Sequence, residues 1–310
     1  MKINILVCSL FLFSIGLNAQ QIAKINVSNG KVFRFENFYS NYVDARNINI
    51  WLPENYSNKK KYAVLYMHDG QMLFDSTLTW NKQEWGVDET ITQLKKEDKI
   101  KDVIVVGIWN SGKNRHIDFF PQKPFEALSK AEQDSMYAAN RQNGNSVFSG
   151  KVQSDNYLKF IVSELKPFVD SNYSTNKIAK YTFIAGSSMG GLISIYALCE
   201  YPKVFGGAAC LSTHWPGIFK ADNPFPKAMQ TYLKANLPVA KNHKIYFDFG
   251  TITLDAMYEP FQLQVDSIMI SKGYSVNNND WKTQKFEGEN HSEVAWRKRL
   301  DIPILFLLKK

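Results

Sequence analysis

Cysteine is scarce in this chain: three residues in 310, at positions 8, 199 and 210. No cysteine–histidine spacing suggests structural zinc, and three thiols cannot staple a small disulfide scaffold. Glycine and proline, at 17 and 11, are too few for a collagen-like or low-complexity protein. Charged residues make up only 21%, against 14% aromatic and 45% hydrophobic, which excludes an intrinsically disordered chain. Also missing is any apolar run of the roughly 20 residues that a membrane-spanning helix needs. No internal repeat is visible.

What is there begins with a short apolar run. Met1-Lys2 gives a positive start, residues 3–17 are almost wholly apolar, and Asn18-Ala19-Gln20 closes the segment. That pattern predicts a secretory signal over residues 1–20 and an exported protein, periplasmic or secreted, with no stable membrane insertion once the leader is removed. Cys8 lies within the apolar run rather than after it, which argues against a lipoprotein. Export leaves a disulfide between Cys199 and Cys210 possible, but their apolar surroundings favour two buried thiols. The net charge of +8 permits an anionic partner without demonstrating one. The basic runs 59–61 and 297–299 are short and far apart. They read as solvated faces, not a nucleic-acid surface.

Apolar, β-branched or aromatic runs at 48–52, 62–67, 102–108, 181–185, 207–212 and 244–249 alternate with helix-like patterns at 88–96, 155–172, 189–200, 258–272 and 292–308. Fully apolar strands between amphipathic helices predict an α/β fold with a mostly parallel sheet covered on both faces. No linker divides the chain, so residues 21–310 are expected to form one domain. Two long connections, 119–153 and 213–238, each begin just after a strand. In open α/β sheets that is the end where ligands bind.

The most informative stretch is 181–191, Tyr-Thr-Phe-Ile-Ala-Gly-Ser-Ser-Met-Gly-Gly, which holds Gly-x-Ser-x-Gly at Gly186, Ser188 and Gly190. An apolar strand leads in and a helix pattern leads out. That context predicts a sharp strand-to-helix turn with Ser188 exposed on it as a nucleophile. The Met189 N–H would open the helix as one oxyanion donor. The second donor is expected after the strand 62–67, where Gly70 lets the backbone turn and the N–H of Gln71 or Met72 faces the serine.

A serine hydroxyl needs a general base. The chain order serine, acid, histidine leaves His214, His243 and His291. His243 starts a strand, at the wrong end of the sheet, and no strand before His214 could supply an acid. His291, in a polar loop opening the last helix, is the expected base. The acid should follow the strand 244–249. Asp255 stands on the expected loop, with Asp248 in the strand and Glu259 at the next helix as alternatives.

These residues resemble the Putative esterase (esterase D-like) branch of the α/β-hydrolases. The resemblance runs through Trp51-Leu52-Pro53, His68-Asp69-Gly70-Gln71, Val105-Val106-Gly107-Ile108, Gly186–Gly191, Tyr201-Pro202-Lys203-Val204-Phe205, Gly250–Asp255 and His291 with Trp296 behind it. It implies an α/β-hydrolase fold and a Ser–Asp–His acyl-transfer mechanism without cofactor or metal. One departure concerns the acid: in the family it often stands closer to the strand-end glycine than Asp255 does to Gly250. The branch includes feruloyl, acetyl-xylan and siderophore esterases. The expected substrate is therefore a small-molecule or oligosaccharide ester, carbohydrate-linked acetyl or hydroxycinnamoyl esters first and catecholate siderophores second. Trp109, His214, Trp215 and Trp296, near strand ends, are the candidate substrate contacts. A reading of another class, a catalytically silent homologue that binds a ligand, stays open, although nothing missing from the sequence requires it: nucleophile, base and candidate acids are all present.

Overall fold

Among the described residues, the alternating strand and helix patterns fold onto a nine-stranded sheet in the order β1-β2-β3-β5-β4-β6-β7-β8-β9. The computed structural model describes residues 21–310 apart from 23 and 142, so the leader expected over 1–20 lies outside the described residues. The strands are β1 Gln21–Ile22, β2 Lys31–Phe38, β3 Arg46–Leu52, β4 Ala63–His68, β5 Val103–Ile108, β6 Thr182–Ser187, β7 Gly207–Leu211, β8 Lys244–Gly250 and β9 Trp281–Phe286. β1, β2 and β3 add on antiparallel, and every pairing from β5 through β9 is parallel. The six runs read from the sequence each become a strand. β2 was not among them because Arg34, Glu36 and Asn37 interrupt its apolar alternation and a bulge falls between Phe35 and Phe38.

The helices are α1 Val87–Lys96, α2 Arg115–Phe119, α3 Gln122–Glu126, α4 Lys130–Tyr137, α5 Ser154–Phe160, α6 Lys166–Asn172, α7 Met189–Glu200, α8 Phe225–Asn236, α9 Glu259–Ser271, α10 Glu293–Arg297 and α11 Asp301–Leu308. α5 and α6 join through a π-type turn, Ile161–Leu165. The expected helix over 292–308 is split. Pro303 lacks an N–H and its ring would collide with the carbonyl of Arg299, so a regular helix cannot run through that point.

Side chains alternate across the sheet into two cores. Val64, Tyr66 and Ile184 face a core shared with α5, α7, α8 and α9. Ala63, Leu65 and Phe183 face the other, shared with α1, α10 and α11. α7 is apolar all round, and eleven of its twelve residues are buried. The two remaining cysteines, Cys199 and Cys210, are buried free thiols. Among the described residues, no helix is long and apolar enough to cross a membrane.

Candidate active site

Each parallel strand delivers a polar group just beyond its carboxyl end. β4 is followed by Asp69 and Gln71, β5 by Asn110 and Arg115, and β6 by Ser188. β7 leads to Ser212, β8 to Asp255 and β9 to His291. The side chains meet because parallel register stacks those six ends on one edge of the sheet.

Ser188 stands between β6 and α7 at φ 58°, ψ −123°, a conformation that L-residues avoid and that close packing must hold. A Cβ on Gly186 would lie 2.8 Å from the Gly190 carbonyl carbon, so the turn needs glycine there. The Ser188 N–H donates to Leu211 O at 2.9 Å, and its carbonyl accepts from His214 N at 3.2 Å. The Met189 N–H belongs to the first turn of α7, where no intrahelical acceptor exists. Across the cleft, Met72 N–H is used on Asp69 O at 2.9 Å. Gln71 lines the cleft with Ser188 and is the remaining candidate donor of that loop. Gly70 is pressed against β5: a Cβ there would sit 2.4 Å from the Gly107 carbonyl carbon.

His291 Nδ1 lies 2.5 Å from Asp255 Oδ1. The other carboxylate oxygen of Asp255 accepts from Ser212 Oγ at 2.5 Å and from Gly250 N–H at 2.6 Å. Burial, at 1% exposure, opposes ionisation of Asp255. The hydrogen bonds from His291, Ser212 and Gly250 outweigh it and hold the carboxyl below its ordinary value. Asp248 points elsewhere: it pairs with Arg299 Nη2 at 3.0 Å inside the sheet's flank. Glu259 pairs with Lys285 at the surface. Ser212 ties these layers together, accepting from Trp296 Nε1 at 2.9 Å and from Arg299 Nη2 at 3.1 Å.

Ser188 and His291 open on one cleft of about 510 Å³, whose wall also carries Asp69, Trp80, Asn81, Gln83, Asn110, Arg115 and Glu293. Arg115 holds Asp69 by two bonds, Nε–Oδ1 at 2.6 Å and Nη2–Oδ2 at 2.7 Å. Desolvation of Asp69 is outweighed by that guanidinium and by Asn110, so its carboxyl too lies below the ordinary value.

Residues 41–305 match the family described as Putative esterase. The chain belongs to that family. Among curated proteins it is similar to the uncharacterized protein YbbA of Bacillus subtilis (strain 168), 24% identical over 172 residues, 55% of this chain and 58% of YbbA. The match therefore spans less than two thirds of that relative. Among solved structures it is similar to a ferulic acid esterase from Anaeromyces mucronatus in complex with ferulic acid, with TM-score 0.60, 16% identity and coverage of 91% of this chain and 93% of that one. It is likewise similar to the enterobactin esterase of Shigella flexneri, with TM-score 0.59, 16% identity and coverage of 94% and 62%. At such identities the likeness is one of fold, and the fold is that of the α/β-hydrolase esterases.

In this member of the family the four expected substrate contacts fare differently. Trp215 is 2% exposed, donates to Gln262 Oε1 at 2.9 Å and packs on Phe247, so it is core. His214 is 1% exposed and its Nδ1 lies 2.7 Å from Tyr258 Oη. Burial pushes its pKa down to about 3, so it stays neutral. Trp109 stacks under the Arg34 guanidinium and is absent from the residues lining the cleft. Trp296 does line it, but buried, with its ring edge-on to His291 at 5.0 Å. Burial places Trp215 and His214 in the core, because large rings near strand ends are covered unless a loop lifts them out, while Trp296 keeps an edge on the cleft. Two residues escaped sequence reasoning. The Tyr258 hydroxyl lies 2.7 Å from His214 Nδ1, and its ring stands edge-on to His291 at 5.9 Å. Trp80 stands exposed in the cleft. The long polar loop after β4 was a signal for Trp80. Nothing in the sequence marks Tyr258.

Proposed function

We propose that this esterase hydrolyses carboxylic esters through Ser188, His291 and Asp255, by way of an acyl-enzyme. One arrangement carries the reading: a strained serine at a strand-to-helix turn shares a cleft with a histidine whose Nδ1 is held by a buried carboxylate. Asp255 fixes the imidazole with its proton on Nδ1, leaving Nε2 to take the proton of Ser188. Ser188 Oγ adds to the ester carbonyl, and the N–H groups of Met189 and Gln71 receive the negative oxygen. Collapse expels the alcohol, which takes the proton from His291. Water, deprotonated by His291 in turn, then attacks the acyl-serine to give the acid and restore the hydroxyl.

For the substrate, the lining favours a neutral alcohol bearing hydroxyls over a polyanionic ferric catecholate. Among the described residues Arg115 is the one fixed cation lining the cleft, Asp69 already neutralises it, and Glu293 adds negative charge. A carbohydrate-linked acetyl or hydroxycinnamoyl ester fits best. The leader-like first twenty residues would put such an enzyme outside the cytoplasm, where polysaccharide esters are met. A serine-directed fluorophosphonate tests the chemistry. It is expected to label Ser188, and Ser188→Ala and His291→Ala are each expected to abolish turnover of 4-nitrophenyl acetate. An unlabelled Ser188, or near-normal turnover by either variant, would remove the proposal.

A further inference from the structure

Trp80 is 83% exposed, more than any other large hydrophobic side chain among the described residues. A lone exposed hydrophobe needs no explanation, but this one lines the cleft that contains Ser188 and His291. Its neighbours in that wall are planar polar groups: Asn81, Gln83, Asn110 and Glu293. The other apolar lining residues, Met72, Trp85 and Trp296, are buried. The segment that carries Trp80 is pinned at several points. Asn81 Nδ2 donates to Glu293 Oε2 at 2.8 Å, Gln83 N–H donates to Asn81 Oδ1 at 3.1 Å, and Trp85 N–H donates to Met72 O at 3.0 Å. The backbone beneath the ring is thus already ordered, and little further freedom is lost when a ligand stacks on it.

Resting on the ester-hydrolase reading above, we propose that Trp80 is a stacking platform for the sugar ring on the alcohol side of the scissile ester. A pyranose or furanose offers a face of C–H groups and a rim of hydroxyls. The first suits an open aromatic face, and the second needs planar amides and carboxylates at the edge. A purely apolar alcohol would meet too little accessible hydrophobic surface here, since only one exposed ring is offered. The side of the bond follows from proton chemistry. His291 must protonate the departing alcohol, so the alcohol leaves along the wall next to His291. Glu293 lies two residues beyond His291, and Asn81, next to Trp80, is bonded to it.

The test compares wild type, Trp80→Ala and Trp80→Phe on 4-nitrophenyl acetate and on acetylated xylo-oligosaccharides. For Trp80→Ala, kcat/KM on the oligosaccharide ester is expected to fall roughly tenfold more than on the small ester, with the difference carried by KM. Trp80→Phe should recover most of that difference. Equal losses on both substrates overturn the proposal, as does a wild type that shows no preference for the sugar ester. A second measurement does not depend on turnover: in Ser188→Ala, xylotriose should quench tryptophan fluorescence, and adding Trp80→Ala should abolish the change. Quenching that survives without Trp80, or no quenching at all, counts against the platform. Failure of wild type to hydrolyse either ester or to take the fluorophosphonate would instead sink the ester-hydrolase reading.

Discussion

Replacing Asp255 by asparagine separates the candidate acid from its neighbours by a specific conflict. The carboxylate has two fully occupied ends: Oδ1 faces His291 Nδ1, while Oδ2 takes Ser212 Oγ–H and the Gly250 N–H. A backbone N–H in a strand cannot turn away, so the amide oxygen of asparagine must keep the Oδ2 place. Its NH2 then falls opposite His291 Nδ1, which becomes an acceptor, and the imidazole proton moves to Nε2. The nitrogen meant to deprotonate Ser188 is blocked. For an imidazole held in the wrong tautomer the expected loss in kcat is about 10³–10⁴-fold, with KM little changed, or about 4–5.5 kcal/mol of transition-state stabilisation. Stopped 4-nitrophenyl acetate assays at neutral pH read this directly. Asp248→Asn is the control. It should lower the denaturation midpoint, because Arg299 keeps only a neutral partner in a buried site, while kcat stays within about tenfold. Retention of near-normal kcat by Asp255→Asn, or a thousandfold loss in Asp248→Asn alone, would refute the reasoning.

Other outcomes follow from single contacts. Asp88 is buried with Ser28 N–H and Oγ both donating to one oxygen, and burial raises its pKa to about 6. The folded state thus binds this proton more tightly than the unfolded chain does, so stability should fall as pH rises from the unfolded carboxyl value near 4 to about 6, then level off. Asp88→Asn should flatten that decline, read as the melting temperature at pH 4.5 and pH 7.5; an unchanged slope would discard the assignment. Asp255 has the opposite sign. Its lowered pKa gives stability that is present above the unfolded value and lost as pH falls through the folded one, and Asp255→Asn should remove that acid-side loss. Tyr258→Phe leaves buried His214 Nδ1 without its partner, and urea titration should show a loss of about 1–3 kcal/mol. No measurable loss would mean that the hydroxyl contributes nothing there.

Much of the architecture was legible because it rests on local pattern. The 189–200 helix appears with those bounds, and the six strands lie within a residue or two of the apolar runs that predicted them. Ser188 could be singled out because glycines, strand and helix all sit within eleven residues of sequence. The ordering of strands was enough to nominate His291 and to put Asp255 ahead of Asp248 and Glu259. Whether a tryptophan beyond a strand faces the cleft or the core could not be read from local pattern. Trp215 and Trp80 look alike as tryptophans beyond strands, and their difference is whether other elements cover them.

Residues within a few positions of one another were enough to determine the α/β class, the esterase family and the strained serine turn. The tertiary structure alone decided which carboxylate meets His291, that Ser212 and Tyr258 stand beside the site, and that an exposed tryptophan belongs to the cleft. Those facts depend on pairings across tens of residues, such as the 36 between Asp255 and His291 and the 44 between His214 and Tyr258. Parallel strand register brings such groups together, and residue composition carries no record of register.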